Sequence, residues 1–386
     1  MPGSAERGVR TRKAPTLIVM ANNPGGGVVF RPEIASLPVY RQGKPPKPGG
    51  IKLSSNELPF PPLPEVIEVL ATGQWNRYPD ATATTLRQKL SDLLGFPTEW
   101  FLVGAGSVAL LQQFIQAAAG PGDEVIYSWR SFEAYPGLVT VSGATSVKVP
   151  NRTDHGHDID AMIAAITPQT RVVMVCSPNN PTSTVVTTEE FQRLMAAVPS
   201  TCLVVLDEAY REFVDQTEAV RGEEHVEKYP NLVLTRTFSK AYGLAGLRVG
   251  YAIGRPELLA PGQAAGIPLA VSAPAQLAAE VSLEQMPEIN RRVAEISERV
   301  SLVRDELTQW GGDIPLPFGN FVWIPAGEHT ETVSQWLEDE GIVARAFAGE
   351  GIRVSIAEAE AVDALLRILK RVVDDLPKLA SRARLG

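Results

Sequence analysis

Between residues 84 and 255 the chain alternates short, almost wholly apolar runs with stretches of helical periodicity. Four runs stand out: 124–127 (EVIY), 171–176 (RVVMVC), 202–206 (CLVVL) and 231–235 (NLVLT). A strand covered on one face alternates apolar with polar residues, whereas a strand covered on both faces does not. The four runs therefore read as strands with helices on either side. Around them Leu86, Leu90, Leu93 and Leu94 repeat at helical spacing, Ser107–Ala119 reads as a second helix and Glu189–Val198 as a third. Such alternation predicts an α/β fold with a largely parallel sheet, because parallel neighbours need a crossover that is usually helical. After Pro274 the pattern changes. A long charged helix is expected from about Pro287 to Trp310, strands near Asn320–Ile324 and Gly351–Ile356, and helices near Thr332–Glu340 and Ala361–Asp375. The expected organisation is a tail (1–30), a large domain (72–270) and a smaller α+β domain (31–71 with 271–386).

Composition narrows the function. The 386 residues are 44% hydrophobic and 21% charged, ordinary for a globular chain. The net charge is −8, without a block of five like charges, which argues against nucleic acid or an anionic membrane surface as partner. No apolar run approaches the roughly 18 residues of a membrane helix. Two cysteines, Cys176 and Cys202, cannot make a disulfide framework, so a reducing, cytoplasmic setting is expected. The four histidines, His155, His157, His225 and His329, lack the companions of a metal site; solvated loop histidines are expected and no metal. In the tail, Arg7, Arg10, Arg12 and Lys13 precede Leu17–Ala21, a signal peptide in miniature that is too short for a secretory core of roughly 7–15 residues. It is read as a floppy extension, with Met20 as a second candidate start.

Gly104-Ala105-Gly106-Ser107-Val108-Ala109 fits the dinucleotide fingerprint G-x-G-x-x-G/A. That fingerprint also wants an acid at the end of the next strand, and Asp123 and Glu124 begin theirs. What the motif supports is narrower: small residues and a helix N-terminus, with Ser107 as its cap, form an anion site suited to a phosphate. Four more clusters follow the predicted strands, at the edge where open α/β sheets bind ligands. They are Ser177-Pro178-Asn179-Asn180-Pro181-Thr182-Ser183, Asp207-Glu208-Ala209-Tyr210, Thr237-Phe238-Ser239-Lys240 and Gly246-Leu247-Arg248-Val249-Gly250.

In order and spacing these clusters resemble the pyridoxal-phosphate aminotransferases of fold type I, and within them the histidinol-phosphate/aromatic branch. The resemblance spans about residues 31–375 and implies a mostly parallel seven-stranded sheet. It implies a Schiff base on Lys240, which also moves the substrate α-proton, and Asp207 against the pyridinium nitrogen. Tyr210 and Asn180 would meet the phenolic oxygen, and Phe132 would stack on the ring, unless it is simply a core phenylalanine. Ala105, Gly106, Ser107, Ser239 and Arg248 would hold the phosphate, with Thr237 a weaker candidate. Tyr78 would reach it from the other subunit of a homodimer with shared active sites. Arg353 matches the arginine that binds the substrate α-carboxylate; Arg345, Tyr40 and Asn56 are further candidates on the substrate side.

Two departures bear on the substrate. Ser183 stands where the family loop usually has Gly, and Ser128–Glu133 (SWRSFE) replaces a Pro-Thr-Tyr/Phe run. Both resemble aromatic, phenylalanine-type aminotransferases of the branch. An aromatic amino donor with 2-oxoglutarate as acceptor is therefore expected. Histidinol phosphate is left open, since Arg130, Arg345 or Arg353 could meet its phosphate, as is a decarboxylase of the same branch. The segment 260–268 also departs from its relatives. A nicotinamide dehydrogenase would need an acid at the end of the strand after the glycine motif, and a DNA-binding regulator an N-terminal helix-turn-helix; these residues show neither.

Overall fold

The computed structural model describes residues 28–39, 45–311 and 313–383. They fall into two compact units, divided between Arg41 and Gln42. The first contains a four-residue helix, Pro32–Ala35. The expected tail lies largely outside the described residues.

Among its described residues the second unit contains twelve strands: β1 (Ile51–Lys52), β2 (Phe101–Gly104), β3 (Glu124–Trp129), β4 (Thr145–Pro150), β5 (Thr170–Cys176), β6 (Leu203–Asp207), β7 (Leu232–Thr237), β8 (Gly250–Ile253), β9 (Phe321–Ile324), β10 (Ile342–Val343), β11 (Arg345–Phe347) and β12 (Gly351–Ser355). Seven form one sheet in the order β2-β8-β7-β6-β5-β3-β4. Only β8 runs against its neighbours. This is an α/β architecture with the mostly parallel seven-stranded sheet that the resemblance implies.

Both faces of the sheet are buried, as the apolar runs required. Along β5, Val173 and Val175 join one apolar cluster, and Val172, Met174 and Cys176 join the other. Parallel strands put all their C-terminal ends on one edge, so Cys176 lies beside Asp207 and Asp207 beside Thr235. The antiparallel β8 begins at that same edge, pairing Gly250 with Gly104.

The remaining strands form a three-stranded antiparallel sheet, β11-β12-β9, and a parallel pair, β1-β10. Helices Met286–Trp310 and Val362–Ala383 pack together beside them. No helix among the described residues is long and apolar enough to cross a membrane.

Candidate active site

The G-x-G-x-x-A motif folds as strand, turn and helix. Gly106 is the N-cap of the helix Ser107–Ala118, at φ +83°. Ser107 is its first residue rather than the cap expected from the sequence, and the cap carries no side-chain hydrogen bond. A Cβ on Gly106 would stand 2.5 Å from Arg248 Nη2, and one on Gly250 2.7 Å from the Ser107 nitrogen. The glycines thus clear a space into which a guanidinium and free backbone N–H groups converge, an anion cradle by geometry and by charge. Arg248 donates to Ser239 Oγ at 3.2 Å, and Thr237 Oγ1 accepts from the Ser239 N–H at 3.1 Å. Ala105 lies in the same turn.

Asp207 is the last residue of β6 and is buried. Tyr135 Oη donates to its Oδ2 at 2.8 Å, and Thr235 Oγ1 to its Oδ1 at 3.4 Å. Burial raises its pKa to about 6, opposed by those hydrogen bonds and by the Ala209 N–H. The carboxylate is thus mostly ionised at neutral pH, yet no cation is paired with it among the described residues. A buried charge without a counterion is costly, so a cationic ligand atom placed against Asp207 would be stabilised there.

Lys240 Nζ donates to the Ser55 carbonyl at 2.8 Å and sits 5.6 Å from the Tyr210 ring centroid. Burial, then the nearby Arg353, lower its pKa to about 7, so the neutral amine is readily available. Tyr210 is buried, its hydroxyl pushed up to about 12 by burial, and it accepts from Asn56 Nδ2 at 2.9 Å. Asn56, at φ +53°, is held in turn by Ser355, whose Oγ donates to its Oδ1. Arg353 is buried on β12, with Nη1 donating to Asn180 Oδ1 at 2.7 Å and Nη2 to the Ser54 carbonyl at 2.5 Å. Asn180, Tyr210, Lys240 and Arg353, up to 173 positions apart, therefore share one site.

A family model of class I and II aminotransferases matches residues 48–369. The chain belongs to that family. An aromatic amino acid aminotransferase of Streptomyces coelicolor is 48% identical to this aminotransferase over 88% of the chain and 96% of its own length. The protein of the same name from Corynebacterium jeikeium is 47% identical, over 89% and 94%. A histidinol-phosphate aminotransferase from Sinorhizobium meliloti, solved with pyridoxal-5'-phosphate, superposes with a TM-score of 0.79 at 26% identity, covering 92% of this chain and all of that one. A mutant Thermus thermophilus aspartate aminotransferase shares the fold, with a TM-score of 0.73 at 24% identity over 89% and 99%.

Not every expected residue of this aminotransferase gathers at the site. Tyr78 is 87% exposed, and Tyr40 lies outside the described residues. Phe132 is partly buried and packs edge-on against Tyr135, at 5.6 Å between centroids. Arg345 faces Arg353 across β11 and β12 but is salt-bridged to Glu133 at 2.7 Å. Arg130 is likewise paired with Glu350 and lies over the Trp129 and Phe347 rings. Two histidines correct the expectation of solvated imidazoles: His157 and His225 are buried. His157 Nε2 accepts from the Cys176 N–H at 3.4 Å, and burial lowers its pKa to about 3. No cluster of potential metal ligands occurs among the described residues.

Three contributors were missed. Tyr135 and Thr235 grip Asp207, and the Ser55 carbonyl receives Lys240. Tyr135 left one trace in the sequence: it follows Phe132 at a spacing that puts both rings on one turn entering a helix.

Proposed function

We propose that this aminotransferase moves the amino group of an aromatic amino acid, phenylalanine or tyrosine, to 2-oxoglutarate, using pyridoxal phosphate at Lys240. The residues present fit that cofactor: an anion cradle at Gly106, Ser107, Ser239 and Arg248, an uncompensated carboxylate at Asp207, and an amine of lowered pKa at Lys240. When bound, the cofactor supplies an aldehyde that captures amines and a ring that takes up the charge left at the substrate α-carbon.

The chain's own groups do the rest. Asp207 would hold the proton on the ring nitrogen, and Asn180 and Tyr210 would hydrogen-bond the phenolic oxygen. Phe132 is assigned to the ring face. Lys240 Nζ would take the proton from the α-carbon, which an amine titrating near neutrality does well. Arg353 would pair with the α-carboxylate through its planar, permanently charged fork.

One observation supports an aromatic donor over a phosphorylated one: of the candidate cations Arg130, Arg345 and Arg353, the first two are each neutralised by a glutamate, Glu350 and Glu133. A substrate phosphate would have to displace a carboxylate from either one, or take Arg353 in place of an α-carboxylate. The names carried by the nearly half-identical relatives agree with this choice.

We further assign the working form to a cytoplasmic homodimer, its protomer divided into a large domain (72–270) and a small one (31–71 with 271–386). The exposed Tyr78 fits a group used by a neighbouring subunit, and two buried free thiols fit a reducing compartment.

A donor screen with 2-oxoglutarate tests the substrate. Phenylalanine and tyrosine should turn over well and histidinol phosphate poorly; turnover of histidinol phosphate alone overturns the assignment. Lys240→Ala should leave no cofactor that borohydride can fix to the chain, and retained fixation would remove Lys240 from its role.

A further inference from the structure

Tyr135 belongs to none of the groups assigned above, yet it touches two of them. It opens the helix Tyr135–Ser142 and is fully buried. Its hydroxyl donates to Asp207 Oδ2 at 2.8 Å. Its ring packs edge-on against Phe132 at 5.6 Å and 88°, and against Tyr127 at 5.7 Å and 71°. The acid and the proposed stacking ring are thus braced by one rigid side chain with little rotamer freedom.

We propose that Tyr135 is a positioning residue: its hydroxyl fixes the Asp207 carboxylate and favours its charged form, while its ring sets the inclination of Phe132. The proposal rests on the assignment of Asp207 to the ring nitrogen of pyridoxal phosphate. The physical case lies in what Asp207 otherwise lacks. Its side chain has two hydroxyl donors, and the Thr235 contact is the longer at 3.4 Å. The neighbouring Glu208 is committed to Arg236 at 2.9 Å and to the Gly222 N–H at 2.8 Å. A hydrogen bond donated to a buried carboxylate stabilises its charged form, and at 2.8 Å Tyr135 provides the stronger one. The tyrosine hydroxyl is held protonated by burial and by the Asp207 charge, so it acts as donor throughout the physiological range.

The experiment is a double-mutant cycle on cofactor affinity, read by titrating the cofactor-free protein with pyridoxal phosphate. Tyr135→Phe keeps the ring and removes only the hydroxyl, and should weaken binding on the order of tenfold. Asp207→Asn should weaken it further. In the Asp207→Asn background, Tyr135→Phe should add no more than about twofold. A tyrosine that merely fills space would cost the same in both backgrounds, and that result overturns the proposal. If Asp207→Asn alone changes nothing, the pairing of Asp207 with the cofactor fails instead. A second readout uses no cofactor: the carbon-13 resonance of the Asp207 carboxyl should titrate at higher pH in Tyr135→Phe than in the parent protein. An unchanged midpoint would also sink the proposal.

Discussion

At the scale of single residues, the site works by withholding water from charges. The Lys240 amine titrates at about 7 because burial and Arg353 disfavour its protonated form. An unfolded chain would hold that proton up to the ordinary lysine range, about 10.4. Between those two pH values the unfolded state binds more protons, so this group's contribution to stability rises with pH. Its cost is fully present below about 7 and disappears once the unfolded amine is also neutral. Lys240→Met should therefore make the cofactor-free protein more resistant to urea at pH 7, by a margin that shrinks as pH approaches 10. A margin that stays constant with pH would mean the amine is not perturbed. His157 gives the complementary case. Its imidazole stays neutral down to about 3 in the folded state, whereas an unfolded one takes its proton near 6.5. Stability should thus fall with pH below that value, and His157→Asn should flatten the decline. Lys240 and Asp207 stood out in the sequence because the clusters that carry them resemble the family's in order and spacing. Tyr135 did not: its partner lies 72 positions away, and only the folded crossover brings the two together.

At the scale of elements, what was legible depended on burial. Strands covered on both faces, β3, β5, β6 and β7, were visible as apolar runs and landed within two residues of expectation at every end. The edge strand β4 (TSVKVP) is largely half-exposed and carries polar residues, which hid it. The four-residue β8 was absorbed into a motif for Arg248 and Gly250. The loop Ser177–Thr184 carries the departure from the family pattern, and its geometry accounts for it. Ser183 takes the left-handed φ of +63° that suits glycine. Its buried Oγ accepts from the Phe318 N–H at 3.1 Å and the Gly319 N–H at 2.8 Å. The hydroxyl thus ties this loop to the segment entering β9, which pairs with the Arg353 strand. Restoring the family glycine by Ser183→Gly relieves strain worth about 1 kcal/mol. It also strips the acceptor from the buried Gly319 N–H, at about 1–3 kcal/mol, while the Phe318 N–H keeps the Ser183 carbonyl at 3.0 Å. The second effect should win, giving a net loss of about 1 kcal/mol in denaturant unfolding. A stabilised Ser183→Gly protein would show that the loop tolerates the unpaired Gly319 amide.

At the scale of the whole molecule, one expected contributor stands exposed on its own chain. Tyr78 is 87% exposed, although the family resemblance assigns it to the cofactor phosphate. An exposed tyrosine serves a buried phosphate only if a second protomer covers it, so the homodimer and the role of Tyr78 stand or fall together. In a twofold dimer each site would draw Lys240 from one protomer and the partner subunit's Tyr78. Complementation exploits this. Lys240→Ala should be inactive and Tyr78→Phe impaired in cofactor retention. A hybrid of the two would carry one wholly native site and one doubly defective site. Random exchange of equal amounts, through mild unfolding and refolding, should then restore about a quarter of the parent's activity, since half the dimers are hybrids with one good site each. Recovery no greater than the average of the two variants would place Tyr78 outside the site. Light scattering at about the mass of a single chain would remove the second subunit altogether.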